Sequence, residues 1–330
     1  MGRSRLLPEL GAGPPRGRLG PRVARRVLLL FGGGLDSRLA QATLAREGHA
    51  VEPLHLDTGF VHAARLRAVA ADGIERLDVA RDYLRQVVLA PRHGRGAGLN
   101  ACRDCRRFLL ERADAVARSR GIDRLATGDV VGQRALDQSR AALARADREA
   151  GVEGRVARPL SEAPLGLRGQ GRRGQLALAE RLGLAASPST GGGCCLLADR
   201  GFARRLRDLV EHREPTTIER SDLERLRFGR HYRLDWAGKL VVGRDEAECA
   251  WLAAHARDDW VCRAASGRGA LALLDADPEG ERATLAASIV AHHGPARGTG
   301  TVAVELRRGA DARVLEARPA VAADLRAWRV

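Results

Sequence analysis

Residues 27–44 constrain the fold more than any other stretch of the chain. Four apolar residues, Val27-Leu28-Leu29-Leu30, and Phe31 run into Gly32-Gly33-Gly34, and Leu35-Asp36-Ser37 then opens a helix-like run from Arg38 to Leu44. An apolar strand that stops in a glycine turn and re-emerges as a helix builds an anion site. Glycines let backbone N–H groups approach a phosphate closely, and the helix N-terminus adds favourable partial charge. Glycine alone would leave a plain strand–turn–helix connection open. Asp36-Ser37 directly after the glycines favours the phosphate reading. The pattern is neither Gly-x-x-x-x-Gly-Lys-Ser/Thr nor Gly-x-Gly-x-x-Gly, so the two commonest nucleotide fingerprints are excluded.

The same rhythm continues. Val51 to Leu56 reads as a second strand ending in Asp57-Thr58-Gly59-Phe60, with a helix at 62–71, a strand at 76–80 and a helix at 82–88. A Gly-, His- and Arg-rich loop, 91–101, precedes a long helix at 105–119; His93 in it reads as solvated. A strand from Asp123 to Thr127 leads into Gly128-Asp129-Val130-Val131-Gly132-Gln133-Arg134, followed by a helix at 134–150, a strand at 156–160, and helices at 172–183 and 201–212. Strand–helix alternation of this kind predicts an α/β domain built on a doubly wound parallel sheet. Its ligand site belongs at the carboxyl ends of the strands, which selects Asp57, Thr58, Asp129 and Gln133.

Near Glu214-Pro215-Thr216 the alternation stops. Strands fit 231–235, 239–243, 301–307 and 312–317, and helices fit 245–256 and 281–292, which predicts a smaller α+β domain. The expected organisation is a basic, disordered leader at 1–25, an α/β domain at 26–213 and the small domain at 214–330. A chain of 330 residues accommodates two domains. Aromatics are only 3% of it, so Leu, Val and Ala must fill the cores. No apolar run approaches the length of a membrane span, and the leader lacks a signal peptide's apolar core. The expected location is the cytoplasm, with no membrane association.

Net charge is +15, with 56 basic side chains against 41 acidic. Nucleic acid is the default partner for such an excess. The basic residues are nearly all Arg, Lys239 being the only Lys. The Arg sets at 168/172/173 and 204/205/207 read either as phosphate contacts or as solvated helix faces. His292-His293 finds no further ligands and reads as a surface pair.

Six cysteines in a chain without a secretion signal argue against a disulfide scaffold. Four fall in two tight groups, Cys102/Cys105 and Cys194/Cys195, while Cys249 and Cys262 are isolated and read as buried thiols. Cys102 and Cys105 lie at the start of a helix, where thiolates are stabilised. The adjacent pair Cys194-Cys195 is a poor chelate for one ion. Three thiolates suit a [4Fe–4S] cluster with one open iron; a persulfide or disulfide relay and a zinc site are the alternatives.

Four segments together resemble a known family: the glycine loop; His93-Gly94 through Asn100-Ala101-Cys102-Arg103-Asp104-Cys105; Thr127 to Arg134; and Gly192-Gly193-Cys194-Cys195-Leu196-Leu197-Ala198-Asp199. They look like the pyrophosphate-loop (PP-loop) tRNA thiouridine synthases, ATP pyrophosphatases that split ATP into AMP and pyrophosphate. Within these they resemble a thiouridylase-like subgroup with a cysteine-rich loop. The resemblance spans about 26–212 and extends more weakly to the small domain. Gly32 stands where that family's loop has Ser, Ala101 where Pro is usual, and Ala135 where Pro is usual.

The resemblance implies an ATP-dependent tRNA sulfurtransferase that makes 2- or 4-thiouridine. It implies that Gly32, Gly33, Gly34, Asp36 and Ser37 bind the phosphates, with Asp36 holding Mg²⁺, and that Asp57, Thr58, Gly128, Asp129 and Gln133 complete the ATP site. Asp36, Cys105 and Cys195 would be catalytic. Cys102, Cys105, Cys194 and Cys195 would supply the ligands of a [4Fe–4S] cluster. Arg134, Arg172, Arg173, Arg204 and Arg205 would contact tRNA. A sulfur donor, either sulfide or a cysteine desulfurase persulfide, is the other implied partner, and homodimerisation is compatible with the reading. The rival readings are another PP-loop enzyme (an amide-forming ligase or a deazapurine nitrile synthase) and a non-catalytic RNA-binding relative.

Overall fold

The computed structural model describes residues 24–134, 137–184, 195–294 and 300–330. Most of the expected leader, Ala135 and Cys194 lie outside the described residues. The chain divides into two compact units, 1–199 and 200–330.

The first unit opens with β1 (Arg26–Leu30), α1 (Leu35–Arg46), β2 (Ala50–Asp57), α2 (Ala63–Ala71), β3 (Glu75–Asp78) and a short α3 (Ala80–Tyr83) that continues as a π-helical segment over Leu84–Leu89. Then come α4 (Cys102–Ser119), β4 (Arg124–Thr127), α5 (Arg140–Glu149), β5 (Val156–Ala157) and α6 (Arg173–Leu182). The five strands form one parallel sheet in the order β3-β2-β1-β4-β5. Val27, Leu28 and Leu29 are all buried, so β1 is covered on both faces, as its unbroken apolar run requires. Val27 and Leu29 share a core with Leu35, Leu39 and Leu44 of α1 and Leu178 of α6. The chain leaves β1 toward β2 on one side and returns as β4 on the other. The carboxyl ends of β1 and β4 therefore flank a crevice where strand order reverses.

Several elements differ from expectation for local reasons. The helix expected over 134–150 begins at Arg140, because Ser139 caps it by accepting the Ala142 N–H at 3.1 Å. Before it, the Gly132 N–H donates to the Gln138 carbonyl at 2.7 Å. The long helix begins at Cys102 rather than 105, so both cysteines lie in its first turn. His93 is no solvated residue. Its backbone N–H donates to Asp104 Oδ2 at 3.0 Å, and its ring nitrogens lie 3.3 Å from Asp104 and from Glu149.

The second unit contains α7 (Arg200–His212), α8 (Arg220–Arg225), β6 (Arg230–Arg233), β7 (Lys239–Val242), α9 (Glu246–Ala254), β8 (Trp260–Ala264), β9 (Ala272–Leu274), α10 (Gly280–His292), β10 (Val302–Arg308), β11 (Asp311–Ala317) and α11 (Ala322–Trp328). Its six strands form a separate antiparallel sheet in the order β11-β10-β8-β9-β7-β6. Its core joins Tyr232, Trp260, Leu274 and Leu306 with the buried face of α10. The division after Asp199 precedes the expected boundary at 213/214. Asp208 of α7 pairs with Arg233 of β6 and Lys239 of β7, which fastens α7 to the antiparallel sheet.

The strands β8 and β9 and the helices α8 and α11 were not expected; each is short, β8, α8 and α11 contain Arg or Asp, and β9 is only three residues long. His292 and His293 are not a free surface pair. His292 Nδ1 is 2.6 Å from the Ala320 carbonyl, and His293 Nε2 is 2.9 Å from the Tyr232 hydroxyl. Cys262 is fully buried, and burial pushes its thiol up to about 12. Cys249 Sγ accepts the Leu271 N–H at 3.3 Å. Among the described residues no helix is long and apolar enough to cross a membrane.

Candidate functional site

A cavity of about 520 Å³ opens at the carboxyl ends of β1 and β4. Its wall includes Gly32, Gly33, Gly34, Asp36, Ser37, Thr58, Gly128, Asp129, Gln133, Arg134 and Arg172, and also Cys102, Cys105 and Cys195. Residues from opposite ends of the first unit's sequence thus meet at the strand-order reversal.

The glycine loop is shaped by contacts that exclude side chains. Gly33 has φ +69°, and a Cβ on it would lie 2.6 Å from the Arg65 carbonyl oxygen. Gly128 lies against the start of α1, where a Cβ would stand 2.6 Å from the Asp36 carbonyl oxygen and 2.8 Å from the Ser37 nitrogen. The Ser37 hydroxyl donates to the Gly34 carbonyl at 2.8 Å and braces the turn.

Asp36 is the acidic group of this loop. Gln133 Nε2 donates to its Oδ2 at 3.1 Å, while Oδ1 is buried without a hydrogen-bond partner. Burial raises its carboxyl above the ordinary value, against the Gln133 hydrogen bond and the charges of Arg172 and Arg65. A carboxylate with one oxygen held and the other unsatisfied is suited to a cation. Gln133, expected as an ATP contact, therefore positions Asp36.

Other expected site residues are committed elsewhere. Asp57 is buried and is not in the cavity wall; its carboxylate accepts from Arg76 at 2.6 Å and from the Gly59 N–H at 3.0 Å. Thr58 is in the wall and accepts the Phe60 N–H at 3.4 Å. Asp129 is in the wall too, but it binds Arg106, the Thr127 hydroxyl at 2.9 Å and Gln138 at 3.1 Å. Burial opposes its charge, yet Arg106 and Arg158 outweigh this and hold its carboxyl at about 2. Its effect is to fix Arg106, the residue after Cys105, at the cavity.

The cysteines converge through a strap. Leu196 N–H donates to the Phe60 carbonyl and Leu99 N–H to the Leu197 carbonyl, both at 2.8 Å. Gly98 lies under this strap, since a Cβ on it would stand 2.1 Å from the Leu197 oxygen. Cys195 is thereby bridged to Val61, beyond the end of β2, and lies in the same cavity wall as Cys102 and Cys105. Asn100 Nδ2 lies 3.4 Å from Cys102 Sγ. Cys102, Cys105 and Cys195 all line this one cavity. Among the described residues no three His, Cys, Asp or Glu side chains are arranged to hold a metal ion.

Of the expected RNA-contacting arginines, Arg134 and Arg172 line the cavity. Arg173 is exposed at the start of α6, and Arg204 is exposed on α7. Arg205 instead donates to the Leu226 carbonyl at 2.8 Å and lies over the Phe202 ring, so its guanidinium serves the packing of its own unit. Sequence reading missed Arg65, Arg106 and His55 in the wall. His55 had a faint signal as a polar residue in an apolar strand: its Nδ1 is 2.7 Å from the Phe31 carbonyl, and desolvation lowers its pKa. Arg106 carried only its adjacency to Cys105, and Arg65 no signal at all.

Residues 229–329 match the family described as the NFACT protein RNA-binding domain. No curated protein matches the chain. Among solved structures, the C-terminal part of the fibronectin/fibrinogen-binding protein of Streptococcus suis is similar at 13% identity, over 39% of this chain and 67% of that one, with a TM-score of 0.29. A predicted tRNA methyltransferase subunit from Methanocaldococcus jannaschii is similar at 18% identity, over 47% of this chain and 74% of that one, with a TM-score of 0.30.

Proposed function

We propose that the chain is an ATP-dependent tRNA sulfurtransferase of the doubly wound PP-loop type, which replaces a uridine carbonyl oxygen by sulfur. The observation that carries this reading is one cavity whose wall holds the glycine loop, Asp36 and three cysteines. The RNA-binding-domain match over 229–329 and the +15 charge support RNA as the substrate.

In this reading the N–H groups of Gly33 and Gly34 hold the phosphates, and the Ser37 hydroxyl braces the turn that presents them. Asp36 holds Mg²⁺ through its unsatisfied oxygen, where the cation screens phosphate charge. The uracil carbonyl oxygen attacks the α-phosphorus and pyrophosphate leaves. A sulfur nucleophile then adds at the activated carbon, and AMP departs with the original oxygen. Because no three described ligands are arranged for a metal, no step is assigned to a cluster. The sulfur is carried as a persulfide on one of Cys102, Cys105 and Cys195. Its terminal sulfur adds to the carbon. A second cysteine attacks the carrier sulfur, which leaves a disulfide for an external thiol to reduce.

The test is incubation with Mg²⁺-ATP, a persulfide source, a thiol and bulk tRNA, followed by nucleoside analysis. Thiouridine with stoichiometric AMP and pyrophosphate is expected. AMP without thiouridine would favour an amide-forming ligase or a nitrile synthase, and neither product would favour a non-catalytic RNA-binding relative. At least two of the variants Cys102→Ala, Cys105→Ala and Cys195→Ala are expected to lose thiouridine formation and keep ATP binding. Iron and acid-labile sulfide found in anaerobically purified protein, and lost together with activity in Cys102→Ala, would replace the persulfide route by the [4Fe–4S] route.

A further inference from the structure

The cations in the cavity wall are not equivalent. Arg38 is paired with Asp72 at 2.8 and 3.0 Å, and Arg106 is paired with Asp129. Arg65, on α2, hydrogen-bonds no carboxylate among the described residues. It makes one long hydrogen bond of 3.4 Å, from Nη1 to the Gly32 carbonyl, and its Nε is buried without a partner. Its own carbonyl oxygen packs under Gly33, which fixes the start of α2 against the loop.

Gly32 is glycine for a different reason from Gly33. Its φ is not positive, and a Cβ there would meet nothing nearer than Arg65 Nη1 at 3.9 Å. A Cβ on Gly34 would meet the same atom at 3.4 Å. A side chain at 32 is therefore sterically allowed, and the guanidinium of Arg65 is the group that borders the space it would occupy.

We infer that Arg65 is a phosphate-binding residue of this loop, supplying the side-chain donors that position 32 lacks. The inference rests on the ATP reading above. A hydroxyl offers one donor, whereas a guanidinium offers five in a planar fork that matches phosphate oxygens and keeps its charge at any working pH. The charge of Arg65 already acts on Asp36 together with that of Arg172. A polyphosphate with its cation at Asp36 gives this arrangement a full set of opposite charges.

The experiment is calorimetric titration of ATP and AMP, with Mg²⁺, into the full chain and into Arg65→Ala, Arg65→Lys and Gly32→Ser/Arg65→Ala. Arg65→Ala is expected to weaken ATP by about tenfold or more while AMP changes little, because a charge-assisted phosphate contact is lost. Arg65→Lys should fall between the two, and the double variant should recover part of the loss. Unchanged AMP affinity reports that the variant is folded. An unaltered ATP-to-AMP affinity ratio in Arg65→Ala would overturn the role of Arg65 and leave the ATP reading standing. A wild-type chain that binds neither nucleotide would overturn both.

Discussion

Gly128→Ala is expected to lower ATP affinity by at least about tenfold and to destabilise the chain by about 1–3 kcal/mol, the usual cost of overpacking a tight contact. The new methyl would stand 2.6 Å from the carbonyl carbon and oxygen of Asp36 and 2.8 Å from the Ser37 nitrogen. These are backbone atoms, so no rotamer change relieves the clash. The β4 loop and the start of α1 must move apart. That motion carries Asp36 away from Gln133 and widens the crevice proposed to hold the phosphates. Calorimetry with Mg²⁺-ATP and thermal unfolding measure the two effects. Gly32→Ala is the control, because its Cβ meets only the end of a flexible side chain at 3.9 Å. Equal behaviour of the two variants would refute the argument.

Asp208→Asn is expected to destabilise the second unit by about 3–5 kcal/mol, since it removes the partner of the buried Lys239 and the half-buried Arg233. Arg233 makes a two-pronged contact with Asp208 at 2.9 and 2.8 Å, and Lys239 lies 2.7 Å from Oδ2. Lys239 is 5% exposed, and burial already lowers its pKa against the attraction of Asp208. Burial also opposes the charge of Asp208, but Arg233 and Lys239 prevail and bring its pKa from 3.8 to about 2. A depressed carboxyl stabilises the fold above its unfolded value and loses that contribution as pH falls through the folded one. About 2 kcal/mol should therefore be present above pH 4 and be lost toward pH 2. Chemical denaturation of the full chain between pH 2 and 6, with and without Asp208→Asn, checks both statements. A variant with the wild-type acid limb would refute them.

The parallel sheet was legible because its signals are local. A continuous apolar run such as Val27–Leu30 can be buried on both faces, and Gly32-Gly33-Gly34 marks the turn that follows it. The antiparallel unit was less legible. Its strands β8 and β9 carry polar or charged neighbours and draw their burial from α10 and from each other, so period alone could not find them. The boundary was misplaced for the same kind of reason. The tie of α7 to the antiparallel sheet is a set of ion pairs between residues 25 and more positions apart, which no composition window registers.

By itself, the sequence determined the sheet class, the glycine turn at the end of its first strand, and thiols in two groups. These follow from residue type and from short-range spacing, through backbone conformation and burial. Only the tertiary structure decided which of those groups meet. The strap at 195–198, hydrogen-bonded to Phe60 and Leu99, carries Cys195 to the cavity of Cys102 and Cys105. It also decided that Asp57 is spent on Arg76 and Asp129 on Arg106, and that Arg65 borders the space beside Gly32. The physical reason is that a charge is claimed by whichever opposite charge the fold brings within hydrogen-bond reach, and that distance is not written in the spacing of residues along the chain.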